Sequence, residues 1–430
     1  MTTARSFPFL RYNADVTGDP GALLAPPYDV IDDAGRAALA AASPYQSVLV
    51  ELPEGGNPQA AADLMTQWIA DDVLEGDVGL ALVQQRYVGP DGVRRTRLGV
   101  ACEVQLHAFE EGVVMPHERT FEGPRRQRLE LMRITQANIS PVFLAYHDAE
   151  RTLSEMFSSV TDSPPDFTST DGDGTQTAVW FVHDLALCEQ FEAAIEPHRL
   201  LIADGHHRYT SALAYRDEVR AAAPHLSVVG GREHDGPGHT TSSGADGVLA
   251  ILCNSAEPGM LVFPTHRVLS GVTLQQLSEF VMGSDAFATT RHADAAEALA
   301  ALDSLEQPGF VVHHVDGSWV YALADPVDME LAVPGSSAAY RSLDVTALHD
   351  LIIDGGALLG EAASHIRYTR SLDEALEMVA ESTETIGFLM RGVAVDAIYG
   401  VAEAGELLPQ KSTYFYPKVP TGVVFRPLQP

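Results

Sequence analysis

Three observations predict a mixed α/β fold in two domains. The chain has 430 residues, too many for one ordinary core. Short apolar runs alternate with segments of helical period, most plainly between residues 176 and 223. After about Gly271 the pattern changes, and helices alternate with shorter strands. The expected division is a first domain over 1–272, with loop insertions near 158–175 and 230–247. A second α/β domain covers 273–430, and its last loop, 408–420, is expected to return to the site of the first.

Element by element, Ala25 to Ile31 is an extended segment, because Pro26 and Pro27 fix φ and restrain the residues before them. Asp32 caps a short helix through Arg36–Ala40, and Asn57-Pro58 opens another that carries Leu64 and Trp68. Gln46–Leu52 reads as a strand. Gly89 to Gly92 turns between strands Leu80–Val88 and Val93–Leu106. A helical period runs from Pro124 to Asn138, followed by a strand at Val142–Tyr146. Residues 158–175 are polar and Gly/Pro-rich, hence a loop. Strand Ala178–Val182, helix Asp184–Ile195, strand Leu200–Ala203 and helix His206–Ala223 follow. Val248–Cys253 and Leu261–Phe263 have the run lengths of buried strands. Beyond them come helices at Leu274–Val281, Ala293–Leu302, Val345–Ile353 and Leu372–Val379. Strands are expected at Phe310–His314, Trp319–Leu323, Ile386–Met390 and Val423–Arg426.

Hydrophobic residues make up 46% and charged residues 20% of the chain, a globular composition. Lys and Arg number 27 against 59 Asp and Glu, a formal charge of −32. Nucleic acid is therefore not an expected partner, since phosphate backbones need clustered cations to displace their counterions. A small anion needs only one local positive patch. No apolar run of 18 residues is present and the start lacks a leader pattern, so neither a membrane partner nor export is expected. Three scattered cysteines, Cys102, Cys188 and Cys253, fit a reducing cytoplasm. Of the cations 25 are Arg and only two are Lys, Lys411 and Lys418.

The sharpest local pattern is Ala203-Asp204-Gly205-His206-His207-Arg208-Tyr209, where an apolar strand runs straight into a helix. Backbone N–H groups and the helix dipole favour an anion there. Gly205 has no Cβ to block one, and His206, His207 and Arg208 add donors, Arg208 with a fork suited to an oxyanion. Asp204 suits orienting a histidine or holding Mg²⁺. The plain alternative is a helix cap with packed histidines. Adjacent His206 and His207 diverge by about 100°, so they do not chelate one metal together.

Met115-Pro116-His117-Glu118-Arg119-Thr120 opens a stretch with five Arg between positions 119 and 133. Glu118 beside a phosphate site is a natural general base for a hydroxyl, and a solvated helix face is the alternative for the arginines. Lys411, Ser412 and Thr413, among three aromatics and two prolines, suit a phosphate and a flat ring, or a docked tail. Pro264-Thr265-His266-Arg267 and the Tyr28-Asp29 pair are further polar clusters that could face a substrate.

Taken in order, APPYDVI, MPHERT, RLELMRITQANISPVF, ADGHHRY, FPTHR and PQKSTYFYPK resemble the bacterial and archaeal domain-of-unknown-function family 1015 over nearly the whole chain. One departure is Gln127-Arg128, where that family commonly has Asp-Arg, so no acidic role is expected there. More distantly, the Asp-Gly-His-His-Arg turn is similar to the signature of the ParB/sulfiredoxin superfamily in its free serine kinase branch. That resemblance implies a ParB/sulfiredoxin-like N-terminal core whose turn, Asp204 to Arg208, holds nucleotide phosphates. It also implies a base in the Pro-His-Glu segment, here Glu118, although the insertion between the two segments is long in this chain. Sulfiredoxin chemistry needs a cysteine in the turn, which His206 and His207 replace.

The expected function is a nucleotide-dependent phosphotransferase acting on a small serine-like hydroxyl metabolite. ATP or ADP is the expected nucleotide, CTP the variant, with Mg²⁺ at Asp204. In this scheme Glu118, His206 and Arg208 are catalytic. Asp204, Gly205, His206, His207, Arg208, Lys411, Ser412 and Thr413 hold the nucleotide, and Tyr28, Asp29, His117, His266 and Arg267 meet the substrate. The alternatives are a ParB-like nucleotide-binding regulatory or scaffold protein and a phosphate-ester hydrolase. Assembly into a homo-oligomer is compatible with each.

Overall fold

A computed structural model describes residues 1–120, 122–222, 244–283, 285–354 and 366–428. The chain divides into two compact units. The first comprises Met1–Met115, Thr120–Met260 and Pro417–Pro430, and the second comprises Pro116–Arg119 and Leu261–Tyr416. Both are mixed α/β. Among the described residues no helix is long and apolar enough to cross a membrane.

The first unit is built on a ten-stranded mixed sheet. Its main path runs Val114–Met115, Leu200–Asp204, Val142–Tyr146, Gly247–Asn254, Arg94–Gln105, Leu74–Val88, Gln176–Val182 and Phe167–Thr170. Val114–Met115 pairs in parallel with Leu200–Leu201, and Gly247–Asn254 in parallel with Val142–Tyr146. The other neighbours along that path are antiparallel. Central strands read as unbroken apolar runs because both faces are covered; every residue of Val142–Tyr146 and of Gly247–Asn254 is buried. Helix Leu185–Ile195, capped by Asp184, buries Cys188, Phe191 and Ile195 at helical spacing. The terminal segment returns to this unit. Phe425 pairs with Leu10, and buried Arg426 is ion-paired to Glu103 and donates to Asn138 Oδ1 at 3.2 Å.

In the second unit a six-stranded antiparallel sheet runs Phe287–His292, Gly317–Leu323, Gly309–His314, Thr385–Leu389, His266–Ser270 and Ile366–Thr369. Helices Ala295–Asp303 and Leu372–Ala380 cover it, burying Ala298, Leu302, Ala375 and Val379 against Val268, Val311 and Leu389. A separate pair joins Leu261–Phe263 to Tyr414–Tyr416.

Several elements differ from the expectations. The expected strand over 46–52 is a short helix, Val48–Glu51. Gln46 secures its entrance, donating to Ala22 and Leu24 carbonyls and accepting from the Val48 N–H. A short apolar run does not reveal its own period. The polar stretch 158–175 holds a helical turn, Ser158–Thr161, and an edge strand, Phe167–Thr170. Helix Val345–Ile353 is an α-helical turn, Asp344–Leu348, that continues as a π-helix, His349–Ile353. Val423–Arg426 shrinks to a two-residue strand, Arg426–Pro427. Extended Ala25–Ile31 contains a 3₁₀ turn, Tyr28–Val30. Of the loop near 230–247, residues 230–243 lie outside the described residues.

Candidate functional site

In the first unit, strand Leu200–Asp204 is wholly buried and ends on a charged residue, immediately before helix His206–Ala222. The link is Gly205 at φ +90°, a conformation L side chains rarely adopt. A Cβ there would sit 2.9 Å from Arg208 Nε, so the glycine also makes room for the arginine passing beneath the turn. Asp204 is buried and bridges two cations. Its Oδ1 accepts from Lys418 Nζ at 2.5 Å, and its Oδ2 from Arg208 Nη2 at 2.6 Å. Burial alone would raise the carboxyl, but Lys418 first and Arg208 next outweigh it and hold Asp204 at about 2.

Arg208 is equally enclosed. Its Nη1 donates to the Pro141 carbonyl, and its Nε is buried with no acceptor. The sequence suggests a free fork for an oxyanion; the structure spends both terminal nitrogens on protein acceptors, and Arg208 braces the turn. His206 is buried in the first turn of the helix and His207 is partly exposed. Arg208 also lines a cleft of about 30 Å³, together with Glu51, Arg128, Asn138, Ser140 and apolar side chains. That is room for a water or two, not for a nucleotide. Buried Glu51 accepts from Ser140 Oγ at 2.9 Å and Arg128 Nη1 at 3.1 Å, and Arg128 lies 4.2 Å from the centre of the Tyr28 ring. Burial pushes the Tyr28 hydroxyl up to about 12, with Arg208 and Arg128 pulling the other way. Asp29 is exposed.

The remaining expected residues gather in the second unit. Buried His117 shares a 2.7 Å hydrogen bond between its Nε2 and Thr413 Oγ1, and its carbonyl accepts from the Leu408 N–H. Glu118 Oε1 accepts from the backbone N–H of Lys411 at 2.9 Å; Lys411 itself sits at φ +56°. Ser412 donates to the Pro409 carbonyl. His266 and Arg267 lie on strand His266–Ser270, inside the sheet, with Arg267 opposite Tyr368. His266 Nδ1 accepts from the Met390 N–H, and burial, aided by Arg267, holds this histidine at about 4, hence neutral. So Tyr28, Asp29, Asp204, Gly205, His206, His207 and Arg208 belong to one unit, and His117, Glu118, His266, Arg267, Lys411, Ser412 and Thr413 to the other.

Sequence reasoning missed Glu51, which sits inside an apolar run, and left Lys418 out of the site. Its signal was rarity, one of two lysines in the chain. As for Mg²⁺, Asp204 does not fit as its ligand, because each carboxylate oxygen already accepts from a cation. Among the described residues no three His, Cys, Asp or Glu side chains gather as a metal site.

No curated protein matches the chain. Several solved structures are similar to it. A conserved hypothetical protein from Pyrococcus furiosus is 12% identical with a TM-score of 0.36, over 75% of this chain and 93% of that one. A free serine kinase mutant in complex with ADP is 12% identical with a TM-score of 0.36, over 74% of this chain and 87% of that one. SbnI with a C-terminal truncation, from Staphylococcus aureus, is 12% identical with a TM-score of 0.36, over 75% of this chain and 87% of that one. The motif order and the family model agree: the model described as "Protein of unknown function (DUF1015)" matches residues 5–346, and the chain belongs to that family.

Proposed function

We propose that the chain binds a nucleotide phosphate at the turn from Asp204 to Arg208 and passes a phosphoryl group to a small, serine-like hydroxyl compound. The observation that carries this reading is the pair of cations on one buried carboxylate, Lys418 and Arg208 on Asp204, at the start of a helix. Two cations converge there, in a chain of formal charge −32. A phosphate approaching Gly205 would meet their charge, the dipole of helix His206–Ala222 and no Cβ. In this reading the Asp-Gly-His-His-Arg turn belongs to a ParB/sulfiredoxin-like core of the free serine kinase branch, on the strength of its sequence. ATP or ADP is the donor in this reading, CTP the variant, with His206 and His207 as further donors to phosphate oxygens.

Glu118 is the proton acceptor for the attacking hydroxyl. The Lys411 N–H holds its carboxylate through Oε1, and a carboxylate so oriented can take the proton of a hydroxyl. Charge on the transferring group is stabilised by the chain's own cations and N–H groups, and no step is assigned to a metal.

A second reading, a ParB-like nucleotide-binding regulatory protein without transfer, is favoured by one observation. Arg208 has both terminal nitrogens engaged by Asp204 and Pro141.

A thermal-shift panel of nucleotides, followed by a screen for phosphorylated metabolites, separates the two. A nucleotide at 100 times its dissociation constant should stabilise the chain by about 2.7 kcal/mol. Glu118→Gln should keep that shift and lose the phosphorylated product. A shift with no product from the unaltered chain selects the regulatory reading, and no shift with any nucleotide overturns both.

A further inference from the structure

Strands Leu74–Val88, Gln176–Val182 and Phe167–Thr170 close one end of the first unit's large sheet. Their register sets Gln84, Ala178 and Thr168 side by side in one row, and Arg86, Gln176 and Thr170 in the next. Side chains alternate between faces along a strand and neighbouring strands lie about 4.8 Å apart, so all six share one face at contact range. One row further in on that face, Leu82 and Trp180 are buried in the core. Beyond them the face emerges, with Gln84 half-buried and Arg86, Thr168, Thr170 and Gln176 exposed. A cleft of about 220 Å³ is lined by all six residues. At about 30 Å³ per water it takes about seven waters, or one small molecule in their place. Ala178 explains the hollow, because the middle strand offers a methyl group where its neighbours carry longer side chains.

The backbone around the cleft is fixed in advance. Ser169 Oγ donates to the Gly21 carbonyl at 2.6 Å, and Gly21 packs so closely that a Cβ would lie 1.8 Å from the Thr168 carbonyl oxygen. At the two ends of Phe167–Thr170, Asp166 Oδ2 accepts from the Phe181 N–H at 2.8 Å and Asp171 Oδ1 from the Thr175 N–H at 2.9 Å. The edge strand is held from both sides, so a ligand need not order it.

The chemistry of the lining selects among ligands. Arg86 is its one ionisable side chain, in a chain with 59 Asp and Glu against 27 Lys and Arg. Among the described residues Arg86 has no ion pair. Such a lining disfavours a cation and offers one carboxylate a fork for both its oxygens. Gln84, Gln176, Thr168 and Thr170 present donors and acceptors together, which hydroxyl groups match because each both gives and takes a hydrogen bond. Gln84 Oε1 is enclosed and accepts nothing inside the protein. The terminal torsion of a glutamine is broad, so this amide can turn to a donor in the cleft. We propose that the cleft binds a small polyhydroxylated carboxylate of the sugar-acid class, its carboxylate on Arg86 and its hydroxyls on Gln84, Gln176 and the two threonines. The site is separate from the turn at Gly205. Four strands lie between Leu200–Asp204 and Gln176–Val182 in the sheet, a separation of about 24 Å. It stands or falls independently of the nucleotide reading.

The test is equilibrium binding by calorimetry on the full chain. Its probes are L-threonate, the neutral polyol L-threitol, and acetate, which keeps the carboxylate without the hydroxyls. L-Threonate should bind at least tenfold more tightly than either of the others. Arg86→Gln should lower threonate affinity at least tenfold, to that of threitol, and leave threitol unchanged. Gln84→Met should weaken threonate and threitol at least fivefold with no drop in melting temperature, because the amide oxygen it removes has no internal partner to lose. That second variant keeps the test decisive should Arg86→Gln fail to fold by circular dichroism. The proposal is overturned if threonate shows no saturable binding, if threitol or acetate binds as tightly as threonate, or if a folded variant keeps full threonate affinity.

Discussion

Asp204 is the residue on which the first unit's candidate site turns. Its carboxylate joins a lysine from position 418 to an arginine one helical turn onward, and all three are largely shielded from water. Removing one partner from such a group leaves charge buried without compensation, which costs about 3–5 kcal/mol. Asp204→Asn should therefore lower stability by that order in urea denaturation at pH 7. The acid behaviour follows from the depressed carboxyl. Its ordinary value is 3.8 and its folded value about 2, so its contribution is complete above pH 3.8 and is lost as pH falls toward 2. The amount is on the order of 2 kcal/mol. The unaltered chain should show this extra loss in that window, and Asp204→Asn should not; equal acid profiles would refute the pairing. Asp204, Gly205 and Arg208 were legible in the sequence because they crowd one strand–helix junction. The partners that decide what they do, Lys418 and the Pro141 carbonyl, are 214 and 67 residues away along the chain.

At the scale of elements, local chemistry was a good guide where a cap or turn announces itself. Asp32 accepts from Gly35 N–H at the start of Asp33–Ala42, Asn57 from Gln59 N–H before Pro58–Ala70, and Asp184 from Ala186 N–H before Leu185–Ile195. It failed where burial overrides composition. Pro264-Thr265-His266-Arg267 reads as a polar cluster, yet its second half enters strand His266–Ser270, paired on both sides. Val48–Glu51 shows the opposite error, an apolar run wound into a helix. The junction at Gly205 offers a direct test. Gly205→Ala places a Cβ on a backbone at φ +90° and within 2.9 Å of Arg208 Nε. Such strain costs roughly 1–3 kcal/mol. Chemical denaturation should show that loss, together with a weakened nucleotide-induced thermal shift; a variant as stable as the parent would mean the turn relaxes freely.

At the scale of the molecule, the formal charge of −32 acts as self-repulsion spread over the surface. Raising ionic strength from about 0.01 M to 0.15 M shortens the screening length from about 30 Å to about 8 Å. The melting temperature should rise over that range, most steeply at the low end, and an unchanged or falling value would contradict the charge argument. Length, charge, the order of six motifs and most helix starts were settled by the sequence alone, because composition, capping and apolar period act over a few residues. Only the tertiary structure decided that Pro116–Arg119 belongs with Leu261–Tyr416, that Pro417–Pro430 belongs with the first unit, and that Arg267 is enclosed. Those outcomes depend on which distant segments exclude water from a given side chain, and burial of that kind is a property of the packed chain rather than of any window along it.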